Sequence, residues 1–178
     1  MTTTTMTNVA DVGADAVPPP VKEGPPSVCV PGVLDAMILA LDQFGTLTWW
    51  TAALESDRDG FFEQFTTQFF SVDGTLRVSE DRRQEALAMC RQADRKAVLG
   101  CVEAFATTDF RDDLAKVTVP TLVLHGDGDA VVPFEGSGAR THRAIQHSRL
   151  VLVPGAPHGL NVSHVTEFDQ ALLQFLAD

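Results

Sequence analysis

The sequence is poor in the residues that build disulfide frameworks, zinc sites and membrane spans. It has three cysteines, Cys29, Cys90 and Cys101, and no C-x-x-C pair. An odd number of unpaired cysteines argues against a disulfide framework or a zinc site and predicts reduced, structural thiols. No apolar run approaches the length of about 18 residues that spans a membrane, and the first residues lack a basic and apolar targeting signal. We therefore expect a cytoplasmic protein without a membrane partner.

Basic residues are also scarce. Lys and Arg number 13 against 24 Asp and Glu, which gives a formal net charge of −11. Such a chain repels phosphate backbones, so we expect no nucleic-acid partner. The one basic cluster, formed by Arg82, Arg83 and Arg91, lies among acidic residues, a pattern typical of the solvated face of a helix. With 44% hydrophobic and 21% charged residues, the chain is expected to fold around a packed core.

The first two thirds of the chain divide into two segments. Residues 1–32 are rich in Thr and Pro and predict a tail and loop, with at most a weak strand over residues 9–17. Residues 33–110 space their apolar side chains at helical intervals, which predicts a small helical unit. Ser79, followed by two acidic residues, is a predicted N-cap. Cys90 and Cys101 fall on the predicted inward faces of two helices, where cysteines are usually inert.

Residues 111–178 follow the pattern β-α-β-α and predict an α/β fold. Val119–Leu124 and Leu150–Val153 are continuous apolar runs of strand length, typical of strands buried on both faces. A crossover between them makes the two strands parallel neighbours. The last segment is an amphipathic helix expected to pack on this sheet. Its predicted inward residues are Val165, Phe168, Leu172, Phe175 and Leu176.

Two residues with catalytic potential follow the two predicted strands. Asp129 lies in a Gly-rich turn after the first strand, and His158 lies in a Pro-Gly loop after the second. Parallel neighbouring strands end at the same sheet edge, where α/β proteins collect their catalytic groups. A carboxylate that orients an imidazole prepares it to act as a general base on a hydroxyl nucleophile. We therefore expect the two side chains to approach each other.

Each of these residues also has an ordinary explanation. An Asp in a Gly-rich turn commonly accepts hydrogen bonds from nearby backbone amides, and a His in such a loop is commonly a surface residue. The pair, with Asp129 before His158, nevertheless fits the chain order of the catalytic acid and base in α/β-hydrolases.

Several other residues are weaker candidates. His125 ends the first strand and is expected to anchor the loop rather than to react. Ser163 and His164 are expected to begin the last helix, where N-capping accounts for a serine. The aromatic residues Trp49, Trp50 and those between Phe61 and Phe70 are candidates for an acyl pocket, although aromatic side chains at helical spacing usually form core.

Three stretches resemble the non-heme, cofactor-free haloperoxidase and arylesterase branch of the α/β-hydrolases. They are His125-Gly-Asp-Gly-Asp129-Ala-Val-Val-Pro133, Gly155-Ala-Pro-His158-Gly159 and, ahead of the first strand, Thr107–Asp113. The likeness covers roughly residues 33–178 and is looser in the helical part. The resemblance implies an incomplete α/β-hydrolase fold, in which residues 33–110 form a helical cap and residues 111–178 the last β-α-β-α of a parallel sheet. It also implies that Asp129 and His158 are the triad acid and base, that no cofactor or metal is required, and that the substrate is a small ester or carboxylate. Ester hydrolysis and peracid formation with halide oxidation are the implied reactions.

The chain departs from this family at the nucleophile. No serine has glycines two positions before and two after it, as the G-x-S-x-G turn requires; Ser137 comes nearest but fails at both positions and follows Asp129. The oxyanion hole, whose donors come from the residue after the nucleophile and from an earlier loop, is missing with it. Catalytic activity of this chain alone is therefore not expected.

Two hypotheses remain open. In the first, the chain belongs to a serine hydrolase whose nucleophile half has been lost or is supplied by another polypeptide. In the second, it is a non-catalytic remnant or interaction module. Because the missing half would cover apolar surface and a sheet edge, we also expect self-association, a partner polypeptide or marginal folding.

Overall fold

A computed structural model of the chain describes residues 27–29 and 44–177. The weak strand expected over residues 9–17 lies outside these ranges. Within the segment expected to be tail and loop, Ser27–Cys29 forms a short strand, β1. It pairs in parallel with a later strand, so its conformation depends on a partner about a hundred residues away rather than on its own composition.

The segment predicted to be helical contains four α-helices and a small hairpin among its described residues. The helices are α1 (Phe44–Ser56), α2 (Arg58–Phe69), α3 (Glu80–Gln92) and α4 (Arg95–Thr107). The hairpin of β2 (Ser71–Val72) and β3 (Thr75–Leu76), between α2 and α3, was not predicted. Its turn holds Asp73 and Gly74 at positive φ, a conformation that suits glycine and that aspartate tolerates.

Residues 44–107, called the cap region from here on, hold these four helices. The helices pack around Leu54, Phe61, Phe62 and Leu87. The predicted N-cap is confirmed, because the Oγ of Ser79 accepts a hydrogen bond from the amide of Arg82. It satisfies one of the amides that have no partner within the helix.

Two expectations for the cap region are wrong. Arg83 is buried rather than solvated. Its guanidinium donates hydrogen bonds to Glu80 and, at 3.0 Å, to the Oε2 of Glu63 on α2. These carboxylates raise its pKa and offset the cost of burying the charge. Cys101 is exposed, because the inward side of α4 passes through Val98, Leu99 and Val102 instead. Cys90 does pack against the cap core as expected.

The sheet is parallel and has the order β1-β4-β5 among the described strands. β4 (Thr121–Gly126) and β5 (Ser148–Val153) are adjacent, in register from Thr121 opposite Ser148 to Gly126 opposite Val153. The predicted parallel pair is thus confirmed. All residues of β4 are buried, whereas β5 buries only Leu150 and Val153, because its one described neighbour is β4.

Short helices connect and follow these strands. α5 (Arg111–Leu114) precedes β4, a 3₁₀ turn (Phe134–Gly136) and α6 (Gly138–Ala144) form the crossover, and α7 (Leu160–Ser163) and α8 (Val165–Ala177) end the described chain. α8 packs on the sheet through Phe168, Ala171 and Phe175. Leu176, expected on the same face, is exposed because the contact follows the spacing of 3 and 4 residues through Phe168, Ala171 and Phe175. Val165, also expected there, is the first residue of the helix and is exposed as well. None of the helices in the described ranges is long and apolar enough to cross a membrane.

Candidate active site

The loops after β4 and β5 are joined by backbone hydrogen bonds at the carboxyl edge of the sheet. The amide of Asp127 donates to Val153 at 3.2 Å, and that of Gly128 donates to Ala156 at 3.1 Å. A Cβ on Gly126 would lie 2.2 Å from the carbonyl oxygen of Ala156, so only glycine permits this approach. The two loops therefore hold each other in fixed positions.

Asp129 uses its two carboxylate oxygens for different purposes. Oδ1 accepts hydrogen bonds from the amides of Val131 at 2.9 Å and Val132 at 2.8 Å, as expected of an aspartate in a turn. Oδ2 lies 2.7 Å from the Nδ1 of His158. The side chain is fully buried, with an exposed fraction of 0%. The turn therefore accounts for Oδ1, whereas Oδ2 makes the predicted contact with the histidine.

The contact with Asp129 determines the proton arrangement of His158. An ionised carboxylate is only an acceptor, so Nδ1 of His158 must donate. In the neutral imidazole the other nitrogen, Nε2, then carries a lone pair. That is the arrangement of a histidine that can take a proton from a hydroxyl group. The predicted approach of the two side chains is present in the structure.

His125 lies beside the pair but has a different environment. Its ring is completely buried at the end of β4, and its Nε2 donates to the carbonyl oxygen of Val132 at 2.9 Å. The same nitrogen is 3.4 Å from the Oδ2 of Asp129. These contacts fix the loop that carries the carboxylate and agree with the anchoring role expected from the sequence.

The serines that the sequence raised as alternatives are engaged elsewhere. Ser137 is fully buried, and its Oγ donates to the carbonyl oxygen of Pro133 at 2.8 Å. Ser163 ends α7 instead of capping α8; its Oγ is within 3.2 Å of the Gly159 oxygen and 2.9 Å of the Nδ1 of His164. Where the chain is described, no serine hydroxyl is hydrogen-bonded to His158.

A further serine and histidine meet across the turn between α6 and β5, at the opposite edge of the sheet; His142 lies in α6, and Ser148 is the first residue of β5. Nδ1 of His142 is 2.8 Å from the Oγ of Ser148, which also lies 2.8 Å from the carbonyl oxygen of Ile145. Burial lowers the pKa of His142 and favours its neutral form. The hydroxyl closes this turn.

Over the described ranges, no cluster of three or more His, Cys, Asp or Glu side chains suits a metal ion.

The aromatic residues raised as candidates for an acyl pocket reach the site, although their contact with His158 was not predicted. The ring of Phe69 stands nearly perpendicular to that of His158, with 4.8 Å between their centroids. Phe65 follows at 5.6 Å from Phe69, and Phe61 stacks on Phe65 at 5.9 Å. Phe61 belongs to the cap core, so the same aromatic series forms core at one end and touches the histidine at the other.

Comparison with known proteins places this arrangement in a family. A family model described as TAP-like protein, one of the α/β-hydrolase models, matches residues 82–178. The chain belongs to the α/β-hydrolase family. A Synechocystis protein provisionally named as a non-heme chloroperoxidase is 40% identical to this chain over 126 residues, which are 70% of this chain and 45% of the relative.

Other relatives point to the same branch. A bromoperoxidase from Bacillus anthracis has a solved structure that superposes with a TM-score of 0.73 at 46% identity, covering 75% of this chain and 49% of that one. A bifunctional esterase/perhydrolase of Acinetobacter calcoaceticus is 40% identical over 81 residues, or 46% of this chain and 29% of the relative. The resemblance to the haloperoxidase and esterase branch is confirmed. The chain spans about half the length of the curated relatives it matches most extensively.

Proposed function

We propose that this chain supplies the acid and base of a serine esterase or perhydrolase of the non-heme haloperoxidase type, and that it has no esterase activity without a nucleophile from another polypeptide segment. One observation carries the proposal. The buried Oδ2 of Asp129 is 2.7 Å from the Nδ1 of His158, which leaves Nε2 as the basic nitrogen. No structural need explains this pairing, because the turn is already closed through Oδ1.

The reaction would follow the serine hydrolase scheme. The serine Oγ attacks the acyl carbonyl of a small ester while Nε2 of His158 takes the hydroxyl proton. The protonated imidazole, stabilised by Asp129, then gives that proton to the departing alcohol. Water attacks the resulting acyl-enzyme and releases the carboxylic acid. Hydrogen peroxide in place of water releases a peracid, which can oxidise halide.

Neither serine that the sequence raised as an alternative suits the role of the nucleophile. Ser137 is buried and bonded to Pro133, and Ser163 is bonded within its own helical turn. General-base assistance contributes about 10²–10⁴-fold only when a hydroxyl lies within hydrogen-bond reach. A base without nucleophile or oxyanion donors has no bound acyl group on which to act.

We also propose that the chain associates, either with itself or with the polypeptide that carries the nucleophile. α8 exposes Val165, Leu173 and Leu176, with Leu173 exposed to 66%. Within the described sheet, β5 has one hydrogen-bonded neighbour and leaves its other edge open. Apolar side chains and an open edge on one small protein favour association.

The first test uses the purified chain alone. It is incubated with a fluorophosphonate probe and, separately, with 4-nitrophenyl acetate. We expect neither labelling nor turnover above the solvent rate. Labelling of any serine together with turnover contradicts the claim that the nucleophile is absent.

The second test supplies the nucleophile. The part of the Bacillus anthracis bromoperoxidase that precedes its match to this chain is fused to the chain, and also co-expressed with it. We expect esterase activity that His158→Ala lowers by about 10²–10⁴-fold. His147→Ala is the matched control, because His147 directly precedes β5, at the opposite end of the strand from the site. A folded but inactive chimaera supports the other hypothesis, a non-catalytic interaction module.

A further inference from the structure

The end of α2 and the strand β2 contact both loops of the acid–base pair. The amide of Gly159, directly after His158, donates to the carbonyl oxygen of Phe69 at 2.9 Å. The side-chain nitrogen of Gln68 donates to the oxygen of Ala130, directly after Asp129, at 3.4 Å. Gln68 and Phe69, two consecutive residues of the cap region, thus each form a hydrogen bond to one of the two loops. The cap region is attached to the pair at the position where the two loops meet.

Two glycines make room for this attachment. A Cβ on Gly159 would lie 2.5 Å from a ring carbon of Phe70 and 2.7 Å from one of Phe69. A Cβ on Gly128 would lie 2.6 Å from a methyl group of Val72. All three distances are far below ordinary van der Waals contact. The side chains of the cap region therefore occupy the space that these loops leave open beside Asp129 and His158.

The contact between Phe69 and His158 restricts the rotation of the imidazole that the hydrogen bond to Asp129 still allows. A single hydrogen bond at Nδ1 restrains that nitrogen but leaves the imidazole some rotation about the Cα–Cβ and Cβ–Cγ bonds. An aromatic ring 4.8 Å away and inclined at 75° restricts this rotation. Perpendicular ring pairs of this kind also attract each other, by an amount equivalent to about two- to twelve-fold in an equilibrium.

We propose that Phe69 is a positioning residue for His158, fixing the plane of the imidazole while Asp129 fixes its tautomer. The proposal rests on the proposed function insofar as His158 is the base, but the ring orientation itself is measurable without catalysis. Of the proposed pair, Phe69 contacts His158 through its ring. It acts through the histidine.

Phe65 provides a matched control. It belongs to the same helix and aromatic series, is half-buried like Phe69, and contacts Phe69, Phe61 and Trp50. In the described ranges its ring makes no aromatic contact with His158. A general loosening of the cap region should follow from changing either residue, whereas loss of positioning should follow only from changing Phe69.

The test measures the Nδ1 proton of His158 in the ¹⁵N-labelled chain, assigned by its loss in His158→Gln. We expect Phe69→Leu to speed the exchange of this proton with water by about two- to twelve-fold and to increase the motion of the ring. Phe69→Tyr, which retains the ring, should restore the wild-type rate. Phe65→Leu should leave the rate unchanged. Phe69→Met is measured in parallel, in case Phe69→Leu fails to fold.

Three results would overturn the proposal. They are an unchanged exchange rate in Phe69→Leu, an equal effect of Phe65→Leu, and loss of folding in both Phe69→Leu and Phe69→Met, which would make Phe69 a structural residue of the cap region. In an active chimaera, Phe69→Leu should lower kcat with little change in KM. An inactive chimaera would refute the proposed function while the exchange measurement still decides the role of Phe69.

Discussion

Replacing Asp129 by Asn separates the two roles of this side chain. The amide oxygen of Asn can still accept from the backbone amides of Val131 and Val132, so the turn is retained. Its NH₂ group then faces the Nδ1 of His158. Because an NH₂ group only donates, Nδ1 must present its lone pair and the imidazole proton moves to Nε2. The nitrogen that should act as the base becomes the protonated one.

The structure sets the size of the effect. Asp129→Asn loses one hydrogen bond to a charged group, worth about 1.5–3 kcal/mol, and regains part of it as a neutral bond, so a net loss of about 1–2 kcal/mol is expected. Asp129→Ala also removes the acceptor for two backbone amides. Leaving both without a partner costs about 2–6 kcal/mol, since each unsatisfied buried group costs about 1–3. Alanine should therefore be clearly more destabilising than asparagine.

Two assays check this series. Thermal denaturation of the chain gives Tm, which should fall by about 2–8 °C in Asp129→Asn, at about 2–4 °C per kcal/mol for a domain of this size. In an active chimaera, Asp129→Asn should lower kcat by about 10⁴-fold, the effect of the same change in a serine protease triad. Equal destabilisation by Asn and Ala would refute the separate role of Oδ1. Near-wild-type kcat in Asp129→Asn would refute the tautomer argument.

Three further outcomes follow from the cap region. Leu87→Ala removes a completely buried side chain and should cost about 2–5 kcal/mol in urea denaturation; a loss below 1 kcal/mol would mean that the core refills the space. A disulfide reagent followed by peptide mapping should modify the exposed Cys101 faster than Cys90, because burial raises the pKa of Cys90 and reduces its thiolate. Bonding to Arg83 lowers the pKa of Glu80 to about 2 from 4.5, so the stability it contributes is present above pH 4.5 and lost as the pH falls to about 2. The fall in Tm across that window should be shallower in Glu80→Gln than in wild type, and identical curves would show that the pair contributes nothing.

The acid–base pair was predictable because its determinants are local. Each of its two residues follows a continuous apolar run, and each run alone indicates a buried strand. Parallel pairing of β4 and β5 then brings both strand ends to one edge. Asp129 and His158 could therefore be placed together from strand order alone.

The environment of the pair was not predictable because it depends on contacts distant in sequence. The approach of Phe69 to His158 depends on how the cap region lies on the sheet, which helical periodicity does not specify. The burial of Arg83 likewise depends on Glu63 from a neighbouring helix. Charge patterning within one helix indicated a solvated face, because the partner carboxylate belongs to another part of the sequence. A paired arginine at the interface of two helices leaves no local signal.

The position of the acid–base pair within the chain bears on how a nucleophile could join it. The turn amides and the buried His125 hold the carboxylate of Asp129. Asp129 then holds the imidazole of His158, and Phe69 of the cap region contacts the same ring. All of these groups belong to this chain, and they suffice to hold Nδ1 and Oδ2 at 2.7 Å. A separate polypeptide would then have to provide only a serine and oxyanion donors near Nε2, without rebuilding the base. Preorganisation of this kind reduces the cost of assembly, because the side chains are already ordered before the partner binds.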